Sequence, residues 1–420
     1  MTAELAESQI QIKLVTKQQS HAVPDVPLSV PTNIDTKNLN KLVNELLKEN
    51  VAVFLKAIEF DFLVLGELLR VPLLEHLQEK NASTEATIEV EYVERTPAPQ
   101  PEDALLHDDW VAAIEVADKW ILTGCYDNTV NIWTTKGKHQ AIGNNHSNCI
   151  RSVSWLRKGD PSGGFVSCSH DLSAILWHWE PGTTEVHPKI ILKGHERGID
   201  TVSVSPNSAR LVSGGWDTNL KIWSASLEQE DDEPPNKKSK GLTVRTPVHT
   251  LKGHKETISG SKWMDNSTVA TSSMDHTIKV WDVELCGIKT EIVGQKAFLS
   301  LSWSPLTNTI LASSADRHIR MYDPRSSEGS VCKTTYTSHT LWVSAVCWSN
   351  YDEHLFMSGG YDQCVKLWDT RCPKAPLYDL QGHQGKVLCV DWTSDKYLVS
   401  GGSDNSVNIF KNTHQQTLVR

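Results

Sequence analysis

Two periods of hydrophobicity divide the chain. From residue 9, QIQIKLVTK alternates apolar and polar positions, with Ile10, Ile12 and Leu14 on one side, which predicts a strand with one buried face. After SHAVPD, the segment PLSVPTNI offers a partner strand for a hairpin. The period then lengthens. In DTKNLNKLVNELLKEN, Leu39, Leu42, Val43, Leu46 and Leu47 recur at helical spacing, and Asp35 stands where an N-cap accepts a first-turn N–H. FDFLVLGELLR returns to alternation, with Phe60, Phe62 and Val64 on one side and a turn at Gly66. VPLLEHLQEKN predicts a short helix with Pro72 in its first turn, and ATIEVEYVE a closing strand.

Strand, strand, helix, strand, short helix, strand is the order of a ubiquitin-like β-grasp, a small α+β domain placed at residues 8–94 behind a flexible N-terminus, 1–7. The stretch ENVAVFLKAIEF lengthens its helix-to-strand connection. The segment runs on through VERTPAPQP, so it carries no free terminal diglycine for conjugation and reads as an adaptor. Residues 95–105 form a linker and closing strand.

From residue 106 onward one short pattern repeats: TGCYDNTVNIW, SCSHDLSAILW, SGGWDTNLKIW, SSMDHTIKVWD, SSADRHIRMYD, SGGYDQCVKLWD and SGGSDNSVNIF. Each has an Asp six residues before an aromatic: Asp127/Trp133, Asp171/Trp177, Asp217/Trp223, Asp275/Trp281, Asp316/Tyr322, Asp362/Trp368 and Asp404/Phe410. Successive Asp residues lie 44, 46, 58, 41, 46 and 42 apart, the period of WD-type blades. Residues 106–420 are therefore expected to form a seven-bladed all-β propeller.

Between Asp and aromatic the sequence alternates, marking a half-buried strand. The Asp is placed in the turn before it, helped by Gly214 and Gly215 in the third repeat. Where a GH precedes by some twenty residues, a full polar set is present: His195, Ser213, Asp217 and Trp223, then His254, Thr271, Asp275 and Trp281. His146, Ser167, Asp171 and Trp177 make the second set, and His339, Ser358, Asp362 and Trp368 the sixth. Such a set resembles the network that staples outer to inner strands in WD-repeat proteins, and an unmatched buried member costs about 1–3 kcal/mol. Ser, His and Asp together also suggest a hydrolase, but recurrence blade after blade assigns them to structure. The fifth repeat lacks the His and has Ala312 at the hydroxyl position, so its staple is expected to be the weakest.

The residues before His107 align with an outer strand, which would pair into the blade containing Asp404 and close the ring. SLEQEDDEPPNKKSKGLTV accounts for the long spacing between Asp217 and Asp275, and 226–246 is expected to be a mobile charged loop. Within it, NKKSK at 236–240 is short enough to be either a solvated loop or an import signal.

Composition narrows the functional classes. The 420 residues carry a net charge of −10, which argues against a broad phosphate-binding surface. Residues 1–94 hold fifteen Asp or Glu against eight Lys or Arg, a local charge of −7. No apolar run is long enough for a transmembrane helix, and MTAELAESQIQIK lacks a signal-peptide core, so a soluble intracellular protein is expected. The nine cysteines show no CxxC pair and read as reduced core thiols, with no metal bound by this chain and no cofactor. No P-loop, HExxH, nucleophile elbow or dinucleotide fingerprint is present, so no enzyme activity is expected. Glu85, on the polar loop before the last strand of the first domain, reads either as a solvated acid or as a ligand held out for something.

The combination of FDFLVLGELLR, STEATIEVEYVE, LLHDDWV and the seven repeats resembles the eukaryotic WD-repeat ribosome-biogenesis family with an NLE-type N-terminal domain. Seven blades fit the PeBoW branch rather than the Notchless branch, which has eight. The resemblance implies a role in rRNA maturation on the pre-60S particle, in nucleolus and nucleoplasm. It implies the block-of-proliferation propeller protein and pescadillo as partners, with no membrane. It also implies that the ubiquitin-like domain is gripped by the Mg2+ adhesion site of the AAA+ ATPase midasin, and places the family's metal-contacting glutamate on Glu85. A hard cation with one open octahedral position suits such a carboxylate. The rival reading is a ubiquitin-pathway adaptor or substrate receptor, since a fold does not decide function.

Overall fold

A computed structural model describes residues 9–50, 57–82, 86–157, 160–227, 242–325 and 332–412. The chain divides into two units, Met1–Pro97 and Ala98–Arg420.

The first unit runs β1 (Gln9–Val15), β2 (Leu28–Pro31), α1 (Thr36–Asn50), β3 (Phe60–Val64), β4 (Glu67–Leu68), α2 (Leu73–Glu79) and β5 (Ile88–Glu94). Its sheet is ordered β2-β1-β5-β3-β4, with β1 and β5 parallel from Ile12↔Ile88 to Val15↔Glu91 and the other pairs antiparallel. The alternation in β1 has its expected cause: Ile10, Ile12 and Leu14 are buried with Leu39 and Val43 of α1, Leu73 and Leu77 of α2, and Phe60, Phe62 and Val64 of β3. The Asp35 carboxylate accepts the Asn38 N–H at 2.8 Å. Pro72 is the cap before α2 (φ −53°, ψ 148°) rather than part of its first turn. The Asn44 side chain bonds both the N–H and the C=O of Ile58, at 3.0 and 2.8 Å, tying α1 to the segment entering β3. Tyr92 OH donates to the His21 carbonyl at 2.6 Å and accepts the Val23 N–H at 3.1 Å, fixing the β1–β2 connection.

The second unit forms seven sheets, each with four antiparallel strands ordered inner to outer, and the second of them gains a fifth strand at its outer edge. The innermost strands are Val111–Ala117, Ile150–Arg157, Ile199–Val204, Ile258–Trp263, Phe298–Ser304, Val343–Trp348 and Val387–Asp391, called sheets I to VII below. Each innermost strand contacts that of the next sheet, and VII returns to I, so the array is cyclic and propeller-like. Seven apolar clusters lie between successive sheets. The cluster between VII and I includes Leu105 of β6 (Gln100–Leu106), the outermost strand of VII, antiparallel to Ser406–Lys411. Burying Leu105 there contributes about 1.5–3 kcal/mol to joining the ends.

A polar seam also links the inner strands. Trp155 N donates to Glu115 Oε2 at 3.0 Å, Trp348 N to Ser302 Oγ at 3.1 Å, Trp392 N to Cys347 Sγ at 3.3 Å and Val116 N to Asp391 Oδ2 at 2.9 Å. Burial pushes the Glu115 carboxyl up to about 7, and Asp391 is raised for the same reason.

Two expectations need correction. Gly214 and Gly215 lie inside the strand Arg210–Gly215, not in the turn. A Cβ on Gly214 would meet Ile258 Cγ2 of the next sheet at 2.7 Å, so smallness there serves sheet-to-sheet approach. The left-handed position is instead the residue after each repeat Asp: Asn128, Leu172, Thr218, His276, Arg317, Gln363 and Asn405, with φ between 59° and 72°. Secondly, the expected loop 226–246 contains a strand, Thr243–Arg245, parallel to the outer strand of sheet II (Ile190↔Thr243 to Leu192↔Arg245). Residues 228–241, including NKKSK, lie outside the described residues.

Candidate docking sites

In four of the seven sheets the repeat residues assemble a staple with a fixed sense of hydrogen bonding. In sheet III, Trp223 Nε1 donates to Ser213 Oγ (2.8 Å), Ser213 bonds His195 Nε2 (2.6 Å), and His195 Nδ1 bonds Asp217 Oδ2 (2.7 Å). An indole N–H can only donate, so the hydroxyl accepts it and donates its own O–H to Nε2. Nδ1 then carries the ring proton and donates a hydrogen bond to the carboxylate. Sheet IV repeats this through Trp281, Thr271, His254 and Asp275 at 2.8, 2.8 and 2.9 Å. Sheet VI does so through Trp368, Ser358, His339 and Asp362, and sheet II through Trp177, Ser167, His146 and Asp171. The carboxylates also accept turn amides, such as Ser147 and Ser173 N–H on Asp171. Burial pushes these Asp residues up, but hydroxyl, histidine and amide donors outweigh it, with His146 foremost at Asp171 and the Thr277 hydroxyl at Asp275, and both fall to about 2.

Three sheets depart. Sheet VII keeps His383, Ser400 and Asp404, but Phe410 offers no donor. In sheet V, Ala312 brings no hydroxyl, and Asp316 instead takes a bidentate pair with Arg320, two strand residues after the turn. Sheet I has a staple that the repeat alignment missed because no GH marks it: His107 bonds Thr123 and Trp133 through Nε2, both at 3.0 Å.

Because strands alternate in direction, the His-bearing loops and the Asp turns emerge on one face. There Trp110, Trp216 and Trp342 are 43%, 49% and 49% exposed. Trp110 packs on Tyr126 at 5.4 Å, and Trp342 on Tyr361, whose ring also carries Lys386 Nζ at 4.8 Å. Between the first two indoles runs a polar relay across sheets I to III. Tyr126 OH accepts Arg151 Nη1, and Arg151 Nε donates to Asp200 Oδ1 at 3.1 Å. Asp200 also bonds His170 Nε2 at 2.8 Å and Trp216 Nε1 at 2.7 Å. The bonds to Asp200 and to Cys149 Sγ raise His170 to about 9, so it is cationic at neutral pH. The relay fixes the exposed Trp216 edge-on to His170 at 5.2 Å without filling the surface around it. Tyr126, His170, Trp216 and Tyr361 share the position before a repeat Asp, Trp110 and Trp342 each immediately precede an innermost strand, and Arg151 lies within the innermost strand of sheet II. Arg197 and Arg317 stand on the same face.

Glu85 lies outside the described residues, together with Ser83 and Thr84. Asn81 before that stretch and Ala86 and Thr87 after it are exposed. Among the described residues no group of three or more His, Cys, Asp or Glu is arranged to hold a metal, and no helix is long and apolar enough to cross a membrane.

Residues 10–77 match the NLE (NUC135) domain. Residues 106–134, 187–224, 245–282, 288–323, 330–369 and 374–411 match the WD domain, G-beta repeat. Those segments pass over 135–186, where sheet II nevertheless carries the complete His146 staple. The chain is 50% identical to a "Ribosome biogenesis protein WDR12 homolog" of Aedes aegypti over 410 residues, 97% of this chain and 96% of the relative. Proteins of the same description from Drosophila persimilis (52%; 98% and 97% covered) and Culex quinquefasciatus (50%; 97% and 96%) are similarly close.

Proposed function

The chain belongs to the WDR12 family of ribosome biogenesis proteins, and on that premise we propose that it is a non-enzymatic assembly factor for the large ribosomal subunit. The second unit acts as a seven-bladed propeller that anchors in a PeBoW-type complex on the pre-60S particle, in nucleolus and nucleoplasm. Its partners there are the block-of-proliferation propeller protein and pescadillo. The first unit acts as a ubiquitin-like handle, a reading supported by its β2-β1-β5-β3-β4 order with a parallel central pair. Glu85 contributes the carboxylate that enters the open position on midasin's Mg2+, so that ATPase work is transmitted to the anchored propeller. The acidity of residues 1–94 favours approach to a cationic site.

The observation that carries the anchoring half is the row of exposed indoles on the His/Asp face, each backed by a rigid neighbour. Exposed Trp held in one geometry binds at little cost in side-chain entropy, and truncating such an anchor costs about 2 kcal/mol or more. Trp216→Ala and Trp342→Ala are expected to weaken capture of the block-of-proliferation protein at least tenfold while leaving thermal unfolding in place. Glu85→Ala is expected to abolish Mg2+-dependent binding to midasin's adhesion domain and to leave that capture intact. Recovery of ligase or proteasome subunits in place of pre-60S factors would favour the ubiquitin-pathway reading.

A further inference from the structure

The face opposite the indoles carries a cleft of about 460 Å3 between sheets I and II. That volume lies within the range of clefts that enclose ligand-sized groups, roughly 300–1,000 Å3. The turns that build it fix its chemistry. Lys119 comes from the turn between the first two strands of sheet I, and Lys136 and Lys138 from the turn between its last two. Pro181 and Gly182 come from the corresponding outer turn of sheet II. Pro181 supplies an exposed apolar wall, and Trp120, only 5% exposed, forms the floor, locked edge-on against Trp179 at 5.0 Å and carrying Lys119 Nζ at 5.6 Å from its ring.

Three features single this cleft out. All its charged lining groups are lysines, in a chain whose net charge is −10. Each lysine is exposed, and among the described residues none reaches a carboxylate within ion-pair distance. Asp118 adjoins Lys119 and Glu180 adjoins Pro181 in sequence, and the Asp103 carboxylate packs against Gly137 between Lys136 and Lys138, yet none of the three lines the cleft. Three unpaired ammonium groups around an apolar wall suit a ligand with repeated negative charge and flat apolar faces between the charges. A carboxylate-rich peptide supplies the charge without the faces.

We infer that this cleft binds single-stranded RNA, with Lys119, Lys136 and Lys138 on successive phosphates and a base resting against the exposed Pro181 ring. The choice of RNA as the polyanion rests on the assembly-factor reading; the cleft and its charge do not. It leaves the indole face free, so one propeller can hold a protein on one side and RNA on the other.

Phosphate contacts declare themselves in salt dependence: for single strands the slope of log K against log salt is about −0.7 per contact. Three contacts predict a slope near −2, a loss of roughly twenty-fold between 50 and 200 mM salt. The test uses the full chain and a fluorescent oligouridylate, read by anisotropy across that range. K119A/K136A/K138A is expected to bind at least tenfold more weakly at 50 mM, with the slope flattened by about 2. The triple Arg variant should retain binding. K193A/K252A/K255A makes the same charge change elsewhere and should bind as the parent does. Equal losses in both Ala triples, absence of binding by the parent, or parent affinity for heparin matched by indifference to RNA would each overturn the inference. Melting temperatures matched to the parent exclude misfolding. Recovery of parent and cleft variant from cells, probed for pre-60S rRNA, separates the two readings. If the parent co-purifies with particles but the purified chain ignores RNA, only the cleft assignment fails. If the purified chain binds RNA but never meets particles, the assembly reading fails instead.

Discussion

Sheets III and I hold a histidine, a hydroxyl, an aspartate and a tryptophan at equivalent positions and connect them differently. In sheet III the donors run one way from indole to hydroxyl to imidazole, and the last proton falls on a carboxylate. In sheet I the Trp133 indole bypasses the hydroxyl and competes with Thr123 for the one acceptor nitrogen of His107. Among the described residues no hydrogen-bond partner meets the buried His107 Nδ1, while the Asp127 carboxylate accepts from Thr129. Burial then lowers the His107 imidazole to about 4. Residue identity at four positions does not make the staple. What makes it is an unbroken direction of donation that ends on an anion.

The largest expected effect tests that distinction directly. His195→Ala strands a buried carboxylate and a buried hydroxyl together, and breaking a buried pair from one side costs about 3–5 kcal/mol. His107→Ala removes an imidazole that holds no carboxylate, and about 1–2 kcal/mol is expected from its lost bonds. Urea unfolding of both variants, followed by tryptophan fluorescence, measures the difference. Equal losses would mean that the ring senses only a missing side chain.

Acid gives a smaller effect with a defined sign. The folded values of Asp171 and Asp275, about 2, lie below the unfolded value near 3.9. Their contribution is therefore complete above about pH 4 and disappears as pH falls through about 2. With partial solvent screening each contributes about 1 kcal/mol. Melting temperature should fall steeply between pH 4 and 2, and Asp171→Asn should start lower and fall less over that interval. A parallel pair of curves would remove the carboxylate from the account of the staple.

How much of this was open to sequence reading follows from how local each feature is. The Asp-to-Trp spacing was legible because both residues act within one hairpin, and the alternation between them has no other simple cause. The first unit was legible for the same reason, since Ile10, Ile12 and Leu14 each bury one side of a single strand. Features made of distant segments left no local trace. Thr243–Arg245 pairs with a strand some fifty residues earlier, and nothing in its sequence says so. Lys119, Lys136 and Lys138 look like ordinary turn lysines until Pro181 closes the cleft above them. The Glu115 and Asp391 seam requires knowing which inner strands are neighbours. Gly214 was misread because the reason for a glycine lay in Ile258 of the next sheet, not in its own backbone.

The smallest effect concerns the turn beneath each staple, where sheets I and II carry different residues at the left-handed position. Both turns put the residue after Asp at φ near 70°, but that residue is Asn128 in sheet I and Leu172 in sheet II. The left-handed region costs an ordinary side chain about 1 kcal/mol, whereas Asn tolerates it. The same pair of bonds closes both turns: Ser173 N–H and Oγ–H donate to Asp171 Oδ1 at 3.0 and 2.7 Å, and Thr129 N–H and Oγ1–H to Asp127 Oδ1 at 2.9 and 2.7 Å, so the side chain at the left-handed position is the variable. Leu172 is 43% exposed, so replacing it forfeits little burial. Leu172→Asn is therefore expected to stabilise by about 0.5 kcal/mol, a rise of roughly 1 °C in Tm, and Asn128→Leu to lower it by a similar amount. If both substitutions lower Tm, Leu172 is held by packing rather than tolerated by its turn.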